Sequence, residues 1–447
     1  MSNQPQVKPD HMLRRMVLSF VIVACSLQAG CAARQLMPTP NLYVNAPVDP
    51  FAKVVPAYQT NEVNVLYATD RRPVQTDEGN LEYGYGRSAS LAFGSCVVEI
   101  GQGVTWEELV QSSRVRNRTI ALPLKMVSIT EQARFPDTPI PRVMVGDLIE
   151  QDPVIKSRQD DVAELLRSEV STRLAKTSTK EAFIFVHGYN NSFADAAFVI
   201  AELWHFLGRE GVPILYTWPA GHGGLLRGYF YDRESGEFTI FHFKQFLRTL
   251  ASCNELEKIH VIAHSRGTDV ASSAIRELVI EARAAGLDPR RKLKIGNFVL
   301  AAPDLDGEVV TQRLTAERIG DGAERLTVYV SQTDKAIGFA NWLFSSIRRL
   351  GQVRLEDLSE RQRKGLKTQS KAHFVSANVK SDGSGHGYFH TNSAASSDLI
   401  LLLRDNLDPG AANGRPLIKL QHGFWELTDD YPNSASHEYN HNSETRP

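Results

Sequence analysis

From Glu181 onward, short fully apolar runs alternate with segments whose apolar residues recur at helical spacing, and this pattern restricts the fold more than any other feature of the chain. The runs are Ala182 to Val186 (AFIFV), Val212 to Trp218, the stretch around Ile259 to Ile262, Asn297 to Ala302 and Leu326 to Ser331 (LTVYVS). Helical patterns lie between them, over about 193–207, about 238–251 and from Val270 to Ile275. A strand that is apolar at every position must be covered on both faces, and helices of that length between strands make the strands parallel. The expected class is therefore α/β: a doubly wound, mostly parallel sheet with helices on both faces. In such a sheet the functional site lies outside the carboxyl ends of the strands. With 447 residues the chain has ample material for a large core, and its formal charge of -1 argues against nucleic-acid binding, which needs a basic face.

One strand end stands out. Lys258 to Ile275 reads KIHVIAHSRGTDVASSAI: a strand, a sharp turn carrying Ser265, and a helix. A serine hydroxyl is a poor nucleophile by itself, but a strained elbow holds it clear of the sheet where a histidine can take its proton. The flanking residues are small, Ala263 and Gly267, as the close approach of strand and helix requires. The pattern is A-x-S-x-G, one methyl away from the commoner G-x-S-x-G. A serine in this place could instead simply cap the following helix.

A serine hydrolase also needs a base, an acid to orient the base, and amide donors for the oxyanion. For the acid, Asp334 follows LTVYVS and is preferred; Asp304, with Asp306 close behind, ends the preceding strand and is its rival. Either carboxylate could equally be a turn or cap residue. For the base, Gly385-His386-Gly387-Tyr388-Phe389-His390 offers two candidates in one loop, after a strand expected over His373 to Val379. His386 is preferred, because glycines on both sides let its ring reach over the site; His390 stays open, and His373 reads as structural. The oxyanion donors would be the backbone amides of Tyr189, after His187-Gly188, and of Arg266. His187 reads as an internal hydrogen-bonding residue, and the direction of the Arg266 side chain is undecided.

The segments VLYATDRRP, FIFVHGYNNSF, LYTWPA, YDRES, VIAHSRG, VLAAPDLD, VYVSQTD and GHGYFH, in this order, resemble the α/β-hydrolase superfamily, and specifically a bacterial family of uncharacterised α/β hydrolases, DUF900. The likeness covers about residues 60–405. It implies that Ser265, Asp334 and His386 form the triad, with Ala263 and Arg266 as departures from the usual elbow. The family has little assigned chemistry, so the resemblance bears on fold and site more than on substrate. It implies a serine hydrolase acting on an ester or related acyl bond of a small-molecule or lipid-like substrate. A thioester or amide hydrolase, or a non-catalytic cell-envelope binding lipoprotein with the same fold, are the alternatives.

The ends of the chain read differently. Lys8, Arg14 and Arg15 precede the apolar run Met16 to Leu27, followed by Gln28-Ala29-Gly30-Cys31. The run is short for a permanent span and resembles a signal peptide, with Cys31 as the lipid-carrying residue of a bacterial lipoprotein; a plain secretory signal is the alternative. The expected organisation is a signal segment over 1–31, a flexible tether over 32–60, an α/β-hydrolase domain over 61–410 and a polar tail over 411–447. Residues 64–174 are expected to form a covering layer with no chemistry, with short strands at Val65 to Thr69 and Ser90 to Ile100 and a helix over Asp161 to Leu174 whose apolar face is Val162, Leu165, Leu166, Val170 and Leu174; 101–160 have no assignable pattern apart from proline-marked loops. The protein is expected to be exported, facing the cell envelope and held at the membrane by its N-terminal anchor. Cys96 and Cys253 could form a disulfide in such a compartment. No glycine motif for a dinucleotide or phosphate follows a strand, and no cofactor or metal is expected; His437 and His441 of the tail read as solvated.

Overall fold

The computed structural model describes residues 33–338, 349–360, 362–363, 371–381 and 383–433. The signal-like run, Cys31, His437 and His441 lie outside the described residues. Among the described residues, eleven strands form one sheet in the order β12-β13-β11-β10-β9-β8-β6-β7-β1-β2-β3. Its centre is the parallel set β6 (Glu181–Val186), β7 (Val212–Thr217), β8 (Lys258–His264), β9 (Ile295–Ala301), β10 (Ala323–Val330) and β11 (Ala372–Asn378). β7 and β9 are buried at every position, as the uninterrupted apolar runs require.

Helices cover both faces. α3 (Phe193–Phe206) and α7 (Ser393–Leu403) pack on one; α2 (Pro153–Leu174), α4 (Leu225–Ala251), α5 (Gly267–Ala284) and the short α6 (Pro289–Leu293) pack on the other. α3 opens on a reciprocal cap in which Ser192 accepts from the Asp195 amide and Asp195 accepts from the Ser192 amide. On α2 the expected face is only partly buried: Leu166, Val170 and Leu174 pack inward, whereas Leu165 is exposed.

Three expectations are corrected. Residues 64–134 are sheet and not a covering layer: β1 (Glu62–Gln75) runs parallel to β7, and β2 (Leu81–Ile100) and β3 (Leu124–Arg134) continue antiparallel beyond it. α1 (Trp106–Ser112) and a separate hairpin of β4 (Arg142–Val145) and β5 (Leu148–Gln151) fill the stretch without an assigned pattern.

Second, from residue 33 the expected tether is packed structure. Leu36, Met37, Tyr43, Phe51 and Val54 are buried, the Arg118 guanidinium donates to the Leu36 and Met37 carbonyls at 2.7 and 2.6 Å, and Tyr43 Oη donates to the Phe206 carbonyl. The segment has no periodicity because single aromatic plugs and side-chain bonds, not repeating structure, satisfy it.

Third, the tail expected over 411–447 is folded as far as residue 433. β12 (Ile418–Lys419) and β13 (Phe424–Thr428) complete the sheet, and Arg415, Leu427 and Tyr431 are fully buried. Cys96 and Cys253, whose pairing the sequence leaves open, are both free and buried. Cys96 faces Val65 within the sheet, while Cys253 lies past α4 beside the Ser171 hydroxyl at 3.4 Å.

Burial also sets a pH dependence. His187, His205 and His264 are held well below the ordinary imidazole range by burial, and burial with Arg415 and Arg325 nearby pushes His373 down to about 4. An unfolded imidazole takes a proton near pH 6.5, before any of these does in the native state. Their contribution is therefore fully present above pH ~6.5 and is lost as pH falls toward ~4, at up to about 1.4 kcal/mol per pH unit for each group. Urea midpoints measured across that window should fall steadily on acidification; a flat profile would show that these rings titrate normally in the fold.

Candidate active site

Four strand ends converge at the carboxyl edge. β8 delivers Ser265 in the left-handed region, φ 53°, on the turn into α5. That conformation is costly for a residue with a side chain, and where it occurs the surrounding structure must impose it. Here the Ser265 amide donates to the Ala301 carbonyl at 3.0 Å, and its carbonyl accepts from Thr268 Oγ1 at 2.6 Å. The elbow leaves no room for side chains on either side: a Cβ on Gly267 would lie 2.2 Å from the His187 carbonyl oxygen, and one on Gly188 would lie 2.6 Å from Ser265 Cβ.

β10 ends at Asp334 and β11 leads into the loop carrying His386. His386 Nδ1 donates to Asp334 Oδ2 at 2.7 Å, which leaves Nε2 as the unprotonated ring nitrogen. Asp334 is fully buried, and its Oδ1 accepts from the Ala336 and Ile337 amides, both at 3.0 Å, so its hydrogen-bonding capacity is satisfied. Asp304, the rival acid, faces away from the imidazoles. It accepts from Tyr229 Oη at 2.9 Å and lies 3.4 Å from the Arg349 guanidinium. His390 also turns elsewhere, with Nδ1 3.0 Å from Glu202 Oε1, and burial lowers its pKa.

Among the described residues Ser265 Oγ makes no hydrogen bond, so the link from nucleophile to His386 is open in this state. The ring of His264, the residue before Ser265, lies 4.6 Å from the His386 ring. Catalytic hydrogen bonds are often long without substrate and shorten in the complex. Gly385, at φ 70°, gives the His386 loop a hinge for that adjustment.

Two histidines brace the constellation from behind. His264, kept neutral by burial, donates from Nε2 to the His386 carbonyl at 3.1 Å and so ties the base's loop to the nucleophile's strand. His187 stacks on Trp218 with centroids 5.1 Å apart. Its Nε2 faces three donors, the Trp218 amide, Thr217 Oγ1 and Arg71 Nη2, at 3.1, 3.0 and 3.2 Å. Its proton therefore sits on Nδ1 and goes to the Gly188 carbonyl at 2.9 Å, which fixes the turn carrying Tyr189. His187 is thus an internal bonding residue, as its place in the sequence suggests.

The Arg71 guanidinium is fully buried and also donates to the Ala220 and Asn191 carbonyls at 2.8 and 2.7 Å; burial pushes its pKa down to about 10. β1, expected to belong to a covering layer, therefore reaches the site through Arg71. So does α4: Asp232 accepts from the Asn190 and Gly221 amides at 2.8 and 3.2 Å. The stretch LLRGYFYDRES belongs to that helix and contributes two buried polar side chains, Asp232 and Ser235. The Arg266 amide donates to no group among the described residues, while its side chain turns back to Asp269 at 2.7 Å and is neutralised there.

The arrangement holds a strained serine, an oriented imidazole and an amide donor at one sheet edge, which is the equipment of nucleophilic acyl transfer. A family model described as an α/β hydrolase of unknown function (DUF900) matches residues 163–404, more than half of the chain, and that span takes in Tyr189, Ser265, Arg266, Asp334 and His386. No curated protein matches the chain.

Proposed function

The chain belongs to the DUF900 family of α/β hydrolases of unknown function, and on that premise we propose that it is a serine hydrolase cleaving an ester or related acyl bond through a Ser265-His386-Asp334 triad. The observation that carries this reading is the His386–Asp334 bond of 2.7 Å, formed beside a serine at φ 53°. His386 Nε2 takes the hydroxyl proton as Ser265 Oγ adds to the acyl carbonyl, and the amides of Arg266 and Tyr189 receive the oxyanion. Nε2 then returns that proton to the leaving alcohol, so the C–O bond breaks and the acyl group stays on Ser265. Water, activated by the same nitrogen, releases the acid. Asp334 steadies the imidazolium in both halves, and no cofactor takes part.

A fluorophosphonate probe tests this directly. Intact-protein mass spectrometry should show one adduct, mapped to Ser265 and missing from Ser265→Ala. Folded protein that takes no label would favour a binding lipoprotein that keeps the fold without turnover.

The bracing role of His264 is separately measurable. His264→Phe preserves the ring volume and loses the bond to the His386 carbonyl, so kcat should fall about 10- to 100-fold with KM nearly unchanged, since small misplacements of a catalytic group have effects of that size. An unchanged kcat would show that the His386 loop holds its place without it.

A further inference from the structure

The hairpin of β4 and β5 presents an apolar surface that nothing among the described residues covers. Met144, Leu148 and Ile149 are 64–65% exposed and Val145 is 46% exposed. Met144 pairs with Ile149 and Val145 with Leu148, so successive pairs point to opposite faces. Both faces are therefore apolar, and packing against the domain on one side would leave the other in water. Val154, at the start of α2, adds to the patch at 63% exposure. A two-stranded hairpin of this kind is marginal in water and marks an interaction site.

Its position suggests what it meets. Its base is closed by the bond from the Asp152 amide to the Pro141 carbonyl. The preceding loop is tied down by Thr138, whose hydroxyl lies 3.0 Å from His242 Nε2, while His242 Nδ1 bonds Asp70 at 2.8 Å. Asp70 follows Thr69, which pairs with Thr217, the last residue of β7. The hairpin's base thus lies on the side of the carboxyl edge, the edge that carries Ser265.

The chain's N-terminal side lies on the opposite face of the sheet, where the Arg34 carbonyl accepts from the Leu124 amide at the start of β3. Arg34 donates to the Asp195 carbonyl in the first turn of α3 and pairs with Glu202 at 2.5 Å; the same Glu202 oxygen lies 3.0 Å from His390, four residues beyond His386. Cys31 is three residues before Arg34, a reach of about 10 Å at full extension.

We propose that the β4–β5 hairpin is a membrane-docking prong that lays the carboxyl edge of the sheet on a lipid bilayer, so that the acyl substrate offered to Ser265 is one carried in that bilayer. The docking stands independently of the serine-hydrolase reading; the substrate class rests on it. The length of chain before residue 33, with its apolar run and Cys31, favours a bilayer over a second protein as the occupant.

Hydrogen exchange of the full chain, with and without vesicles of phosphatidylcholine and phosphatidylglycerol, tests the docking. Vesicles should slow exchange of residues 142–151 by at least about tenfold, and L148D/I149D should abolish that protection. The same variant should hydrolyse a long-chain ester displayed in vesicles at least about tenfold more slowly than the parent, and a soluble short-chain ester equally well, because its lesion lies in surface binding alone. Exchange unaffected by vesicles would overturn the proposal. So would protection that grows with protein concentration in their absence, which would assign the hairpin to a second copy of the chain. Vesicle protection with neither ester cleaved would support the prong and remove the catalytic half.

Discussion

Ser265→Ala lowers kcat/KM on a short activated ester by about 10⁴- to 10⁶-fold, the range seen when a triad nucleophile is lost, and leaves the melting temperature nearly unchanged. The small structural effect follows from the local bonds. The Ser265 amide and carbonyl hold the elbow through Ala301 and Thr268, and the hydroxyl makes no bond whose loss would cost stability. Alanine at φ 53° bears the same backbone strain as serine. His386→Ala should match this loss, since nucleophile and base act as a unit. His390→Ala should not, because its imidazole is committed to Glu202, and its cost should appear as lost stability. A His390→Ala enzyme as dead as Ser265→Ala would reassign the base, and an active Ser265→Ala would end the serine mechanism.

The buried parallel strands and the residues just beyond them could be read from the chain because each signal is local. An apolar run, a turn, and a serine, aspartate or histidine just after it need only ten consecutive residues to be seen. What could not be read is held together by distant partners. Nothing near Arg71 announces that its guanidinium will meet His187 and Asn191, 116 and 120 residues away. The choice between Asp334 and Asp304 is likewise tertiary: both follow buried strands, and only the packing of Tyr229 and Arg349 against Asp304 removes it from the imidazoles. The first half of α4 was hidden for the opposite reason. Its polarity signals solvent, yet Asp232 and Ser235 are buried and point inward. Position-by-position hydropathy cannot distinguish a polar side chain facing water from one that binds a backbone turn.

The C-terminal segment yields the largest expected stability effect. Arg415 lies in a stretch that composition marks as a tail, yet its guanidinium is fully buried and grips Asp398 of α7 at two points, 2.8 and 2.7 Å. Tyr329 of β10 donates to the same carboxylate at 2.6 Å. The fork therefore joins the C-terminal segment, a helix and a central strand around one buried charge pair. Removing one partner leaves the other ionised group without compensation in a dry site, which costs far more than the pair contributes when intact. Arg415→Met should therefore destabilise the domain by about 3–5 kcal/mol in urea unfolding. Asp398→Asn combined with Arg415→Met should recover part of that loss, because the double variant buries no orphaned charge. A double variant as unstable as the sum of the singles would show that the two side chains act separately. An Arg415→Met protein of parental stability would mean that the segment after α7 is dispensable to the fold.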